Sequence, residues 1–283
     1  DEVLELPFAH GGLQWRARRK LAAELRDRFD VAYICPNSLK SALLPWWARI
    51  PKRIGYRGET RLGLLTQSLP NPKRGQRPPM VAFYSALSGE SDLGKDVPSL
   101  QLGPLQEAAT LAQLELQQRA YYVFAPGAEY GPAKRWPPGH FAELALQMEL
   151  PVVLLGSGKE AALCAQIAHT INTQKPGACV DLAGRTSLDQ ALAVIAGARA
   201  MVSNDSGLMH VAAAFALPQV ALFGSSSPLH TPPLNARAQV LWLKNDGNYQ
   251  PPLTCAPCFE RVCPLGHTRC LVDLKPGQVL RYL

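Results

Sequence analysis

The chain has 283 residues, 47% of them hydrophobic and 18% charged, with a formal net charge of +7. This is globular composition, which excludes a disordered or highly charged tail protein, and 25 Pro with 22 Gly stay below the level of low complexity. The charge excess is concentrated: nine Lys and Arg fall between Lys40 and Arg77, against the single acid Glu59. Such a stretch suits an anionic partner (a phosphate-bearing substrate, a membrane surface or a nucleic acid) or is simply a solvated face. Seven cysteines, an odd number scattered early and clustered late, argue against a disulfide framework and for a reducing compartment. The opening DEVLELPFAHGGLQW is acidic, lacks the order of a signal peptide and has no starting Met, so the chain is expected to be a piece of something longer.

In chain order, ARRKLAAELRDR (17–28) has the spacing of an amphipathic helix and VAYICP (31–36) reads as a strand. SLKSALLPWWARI (38–50) is helical but expected to break at Pro45, KRIGY (52–56) is a short strand, and NPKRGQRPP (71–79) is a loop. One βα repeat and a fragment of another do not make a stable sheet alone. The segment 1–119 is therefore expected to be an α/β domain whose first strands are missing.

Residues 120–283 are more regular. Strands are predicted at 121–126, 152–157, 179–184, 200–204 and 219–224, with helices at 140–148, 159–171, 187–198 and 207–216 between them, and the chain stops at VLRYL (279–283) inside another helix. This alternation implies a parallel, doubly wound sheet with ligands at the C-terminal strand ends. The uncharged stretch from Ser206 to Ala236 resembles a membrane span, but its apolar part is interrupted by His210 and Pro218 and reads as a buried helix, a proline stop and a buried strand.

Two strand ends carry chemistry. In VSNDSGLMH (202–210), Asp205, Ser206 and Gly207 open a helix whose free N–H groups suit a phosphate, and His210 shares the face of Ser206; alternatively Asp205 caps the helix and His210 packs in the core. In APGAEYGPAKRW (125–136), glycines give flexibility while Lys134 and Arg135 supply the charge that a pyrophosphate leaving group needs when no metal does; alternatively it is a surface loop packed over Trp136. GSGKEA (156–161) is not a P-loop, because Val153 stands five residues before Gly158 and Glu160 follows Lys159. With Asp181 it fits a dinucleotide fingerprint, while Glu160 suits either ribose hydroxyls or compensation of a helix dipole. CAPCFERVCPLGHTRC (255–270) offers Cys255, Cys258, Cys263, His267 and Cys270, either as a zinc site or as a turn of buried thiols.

Together PGAEYGPAKRWP, VVLLGS, DLAGRTSLDQALAVIAGARAMVSNDSGLMHVAAA, ALFGSSSPLHTPPL and PNSLKSALLPWWARIPKRIGYRGETRLGLL resemble the ADP-heptose:lipopolysaccharide heptosyltransferases over nearly the whole chain. The resemblance implies a GT-B fold, two Rossmann-like α/β domains facing a cleft with the nucleotide sugar in the second. It implies an inverting enzyme, using no cofactor or metal, that moves L-glycero-D-manno-heptose from ADP-heptose to the first heptose of the lipopolysaccharide inner core on Kdo-lipid A, or to another core position. By similarity Lys134 neutralises the diphosphate and is the catalytic residue, and Asp205, Ser206 and Gly207 contact sugar and diphosphate with support from His210. Glu160 stands near the adenosine ribose and Glu129 lies in the donor loop. Lys40, Arg57 and Arg61 are assigned to the anionic acceptor, at the inner face of the cytoplasmic membrane. The family's base is an aspartate after the first strand of the N-terminal domain. This chain begins beyond that region, so it is expected to bind donor and to transfer poorly.

Two rival readings remain. An NAD-dependent dehydrogenase built on GSGKEA and Asp181 leaves the GPAKRW and NDSG segments unexplained. A nucleic-acid binder would interleave aromatic residues with the basic stretch, and only Trp46, Trp47 and Tyr56 lie near it.

Overall fold

A computed structural model describes residues 2–8, 12–89 and 97–283. The chain forms two compact units, Asp1–Lys95 and Asp96–Leu283. The division precedes the helix at 104–113, whereas the sequence reading placed it at 119; Leu111 of that helix is buried in the core of the second unit, which explains the earlier boundary.

The first unit contains α1 (Trp15–Glu24), β1 (Val31–Ile34), α2 (Leu39–Trp47), β2 (Lys52–Tyr56), β3 (Gln67–Leu69) and α3 (Met80–Ser85). Its sheet is parallel in the order β1-β2-β3, with Val31 opposite Lys52 and Ile54 opposite Gln67. β3 is too short and too poor in β-branched residues to be read as a strand from QSL alone. Contrary to the expected break, α2 runs through Pro45. The proline sits in the last turn, where only one upstream carbonyl loses its donor, and the helix ends two residues later. Leu21, Ala22 and Leu25 bury against Ala48 and Ile50. The lone acid of the basic stretch has a structural role, since the Glu59 carboxylate accepts the Leu39 N–H at 2.6 Å at the start of α2.

The second unit contains α4 (Pro104–Gln113), β4 (Tyr122–Ala125), α5 (Pro138–Leu146), β5 (Val152–Leu154), α6 (Ala161–Gln174), β6 (Cys179–Asp181), α7 (Leu188–Gly197), β7 (Met201–Asn204), α8 (Gly207–Ala214), β8 (Gln219–Leu222), β9 (Ala238–Leu241), α9 (Arg269–Val272) and α10 (Pro276–Leu280). The five predicted strands and four predicted helices are all present, the strands shortened at their ends. β9, α4 and α9 are additions, and α10 ends before the last residues. The uncharged stretch forms α8 and β8 as expected, and among the described residues no helix is long and apolar enough to cross a membrane.

All six strands are parallel, in the order β6-β5-β4-β7-β8-β9. The sheet is covered on both faces because alternate residues go to opposite sides. Phe124, Val152, Leu154 and Val202 join Phe141, Leu144 and Ile167 in one core. Val123, Val153, Leu155 and Met201 join Leu111, Val194 and Ile195 in the other. Each such fully buried side chain contributes about 1.5–3 kcal/mol. Chain order reverses between β4 and β7, and their C-terminal ends form the crevice where open sheets of this kind take ligands.

The second core is tight at Gly197. A Cβ there would stand 2.7 Å from Leu111 Cδ1 and 2.9 Å from the Tyr121 hydroxyl, which donates to the Val194 carbonyl at 2.7 Å. Gly197→Ala is expected to destabilise the protein by about 1–3 kcal/mol through overpacking. Gly139→Ala, where a Cβ meets nothing within 4 Å, should be neutral or stabilising by up to about 1 kcal/mol. Urea denaturation of the two variants checks the contrast.

Candidate active site at the β4 and β7 strand tips

The register that sets Ala125 of β4 opposite Ser203 of β7 brings together two loops far apart in sequence. Asn204, fully buried at the end of β7, ties them. Its amide donates to the carbonyls of Pro126 (2.8 Å) and Gly127 (3.2 Å), and its carbonyl oxygen accepts the Trp136 N–H (3.0 Å). The loop after β4 is thereby clamped at both ends. Trp136 is anchored below it, its indole N–H donating to the Leu274 carbonyl at 2.8 Å.

The clamped loop presents Lys134, whose ammonium donates to the Asp205 carboxylate at 2.5 Å; the two side chains are 20% and 6% exposed. Asp205 therefore does not cap α8. Ser206 stands at that position, in extended conformation and without a side-chain cap bond, and its Oγ is buried without a hydrogen-bond partner. Thr231 donates to the second Asp205 oxygen at 3.4 Å. Gly207 starts the helix with open space where a Cβ would be, so the backbone N–H groups there are approachable. His210 faces the cavity one turn further on. Loss of hydration among the surrounding protein atoms lowers its pKa below the ordinary 6.5; Asp205 opposes this, the smaller effect of Lys134 adds to it, and the net direction favours the neutral imidazole.

Lys134, Asp205, Ser206, Gly207 and His210 line a cavity of about 750 Å³ together with Glu129, Tyr130 and Glu160. Glu160 Oε2 accepts the Ser157 N–H (2.7 Å) and hydroxyl (3.0 Å), a capping box at the turn leading into α6. Its carboxylate rests on Gly127, where a Cβ would come within 1.9 Å of Oε1. Glu160 thus serves the helix end expected from the sequence and also lines the cavity. Glu129 pairs with Lys159 at 3.2 Å, with both side chains more than three-quarters exposed, a contact worth at most about 1 kcal/mol. Leu188, Ala191, Leu208 and Val211 make an apolar end. Asp181 does not line the cavity; its carboxylate accepts the Ala183 N–H at 3.0 Å, which leaves the dinucleotide fingerprint without its ribose acid.

The other sequence candidates are placed differently. Arg57 is exposed and Lys40 half-buried in the first unit. Arg61 is only 3% exposed, with its guanidinium bonded to the carbonyls of Pro36 (2.8 Å) and Tyr56 and to the Asn37 side chain (3.3 Å). Desolvation lowers its pKa, and its bonds make it a brace of the first unit rather than a free surface cation. Cys255, Cys258, Cys263 and Cys270 are free thiols, and among the described residues no group of three or more His, Cys, Asp or Glu is gathered to hold a metal ion. Burial, with the neighbouring thiols adding to it, pushes Cys270 up to about 11. Burial also acts upward on Cys263, but N–H groups of Thr268, Leu265, Gly266 and His267 outweigh it and hold that thiol below its ordinary value. Asn204, Thr231 and Tyr130 were not singled out in the sequence. Only the adjacency of Asn204 to Asp205 pointed to any of them.

Replacing Asn204 by Ala leaves two carbonyls and one N–H unpartnered in a buried setting. The expected loss of stability is at least about 2 kcal/mol, read as a shift of the urea midpoint at unchanged slope.

The sequence profile of glycosyltransferase family 9 (heptosyltransferase) matches residues 18–268. Lipopolysaccharide heptosyltransferase 2 of Escherichia coli (strain K12) is 41% identical over 301 aligned positions, which cover 100% of this chain and 83% of that protein. Lipooligosaccharide heptosyltransferase 2 of Haemophilus influenzae is 40% identical over 86% of this chain and 74% of its own length. The solved structure of E. coli ADP-heptose lps heptosyltransferase II superposes with a TM-score of 0.76 at 42% identity, covering 94% of this chain and 78% of that one. The α/β, GT-B fold class expected from the sequence is thereby established, and the dehydrogenase reading falls. This chain belongs to glycosyltransferase family 9, the heptosyltransferases.

Proposed function

We propose that the cavity at the β4 and β7 tips binds ADP-heptose and that the protein transfers L-glycero-D-manno-heptose to the first heptose of the lipopolysaccharide inner core. The observation that carries this reading is the Lys134–Asp205 pair beside an unpartnered Ser206 hydroxyl and the open N-terminus of α8. In an inverting transfer an acceptor oxygen bonds to the anomeric carbon as the bond from that carbon to the ADP oxygen breaks. Negative charge then collects on the departing diphosphate. An ammonium, a hydroxyl and backbone N–H groups already fixed at that place stabilise the charge without reorganising. Asp205 orients Lys134, and Asn204 fixes the loop that carries it.

The rest of the donor fits the remaining walls. The apolar end formed by Leu188, Ala191, Leu208 and Val211 takes the adenine, and Glu160 and Glu129 face the ribose side. The acceptor hydroxyl also needs a proton acceptor, and no residue of this chain is assigned that role. We read both units as Rossmann-like, and the first as the acceptor side. Exposed Arg57 and half-buried Lys40 suit the phosphates and carboxylates of the acceptor at the cytoplasmic face of the inner membrane.

Calorimetry with ADP-heptose, ADP and NAD tests the reading. The two ADP compounds should bind and NAD should not; preference for NAD overturns the proposal. Lys134→Ala should weaken ADP-heptose binding by about 10- to 100-fold, the worth of a charge-assisted contact. Unchanged affinity in a variant with a native melting curve removes Lys134 from the diphosphate site.

A further inference from the structure

The walls of the donor cavity carry more negative than positive charge. Glu129, Glu160 and Asp205 stand against one lysine, Lys134, which is already bonded to Asp205. His210 is held toward its neutral form. Lys159 pairs with Glu129 directly but with both side chains largely in solvent, where the contact is weak, and a helix N-terminus supplies a fraction of a charge. A nucleoside diphosphate entering this place brings several negative charges, so a further cation is needed from beyond the lining residues.

We propose that Arg261 is that cation, a second arm of the leaving-group site that engages the distal phosphate; this rests on reading the cavity as a diphosphate site. Three contacts place it there. The Arg261 carbonyl accepts the Ala133 N–H at 3.0 Å, within the turn Pro132–Lys134 that presents Lys134. Its guanidinium lies 5.2 Å from the centre of the Tyr130 ring, and the Lys134 ammonium lies 5.3 Å from the same centre. Tyr130 lines the cavity, and its hydroxyl donates to the Phe259 carbonyl at 2.7 Å. The two backbones touch at Gly131, where a Cβ would come within 2.5 Å of the Arg261 carbonyl oxygen.

The segment that carries Arg261 is thus pinned to the loop that carries Lys134, and one aromatic ring brings both cations to the same rim. The Arg261 side chain is exposed, and among the described residues no carboxylate forms an ion pair with it. A cation–π contact keeps a guanidinium close while leaving its N–H fork free for two phosphate oxygens. Lys134 is shared with a carboxylate, whereas Arg261 contributes its whole charge.

The test compares ADP with AMP by calorimetry on the 283-residue chain, for the wild type, R261Q, R261M and K134A, each checked by thermal melting. R261Q should weaken ADP by about fivefold to tenfold and AMP by less than about twofold, with a shallower salt dependence for ADP. R261M keeps the aliphatic stem over Tyr130 and should show the same ADP-selective loss. Melting temperatures should be unchanged, because the structural contact is made by the backbone carbonyl. Equal losses for ADP and AMP, or ADP affinity unchanged in both Arg261 variants, overturn the proposal. A wild type that does not prefer ADP to AMP overturns the diphosphate reading itself. A preference kept in R261Q and R261M but lost in K134A overturns only the role of Arg261.

Discussion

The site depends on a salt bridge between two nearly buried groups 71 residues apart in the chain, Lys134 and Asp205. Withdrawing an ammonium or a carboxylate from water costs several kcal/mol by order of magnitude, and the partner offsets it only when the geometry is fixed. Here the sheet fixes it. β4 and β7 are neighbours because chain order reverses between them, and the clamp on the Pro126 and Gly127 carbonyls and the Trp136 N–H comes from Asn204, the last residue of β7. Lys134 is held by the topology as much as by its own loop.

An ion pair serves a leaving group differently from a free lysine. Before substrate arrives, the ammonium is already bonded to Asp205 with one of its three donors, and its position does not depend on the ligand. The Thr231 hydroxyl stands 3.4 Å from the other oxygen of that carboxylate and is shared with the Ser227 carbonyl at 3.3 Å. When negative charge develops nearby, the ammonium can share itself without a search for its rotamer, which is the physical content of preorganisation. The same arrangement leaves the cavity walls short of positive charge, and the approachable N–H groups of α8 and the neighbouring arginine act against that deficit.

Much of this could be read from the amino-acid sequence, and the physics explains which parts. Fully buried parallel strands such as VVLL and YVFA are continuous apolar runs, and Ser187 is followed three residues on by Gln190, a capping box that the structure contains. The loops GAEYGPAKRW and NDSG were legible because glycine, lysine and aspartate occur at strand ends. Their pairing was not, since it needs the register of β4 on β7, which no local pattern encodes. β9 was missed because AQVL is short and partly exposed, so it lacks the continuous apolar run of the central strands. Arg61 was misread as a surface cation for a related reason: from sequence a basic residue in a basic stretch looks solvated, and only the fold shows three acceptors waiting for its guanidinium.

The cysteine-rich segment shows the same gap between residue type and role from the other side. Its thiols suggested a ligand set, but the work it does in the structure is done by its backbone. The Phe259 N–H donates to the Ser225 carbonyl beyond β8, the Phe259 carbonyl receives the Tyr130 hydroxyl, and the Arg261 carbonyl receives the Ala133 N–H. These bonds connect the loops after β4 and β8 through one strap, while Cys270 packs beside Leu271 in the core beneath it. A strap bonded through main-chain groups tolerates changes in its side chains provided its path is kept. Side chains that point outward from it are then free to acquire a task at the cavity rim, and Arg261 is the one placed to do so.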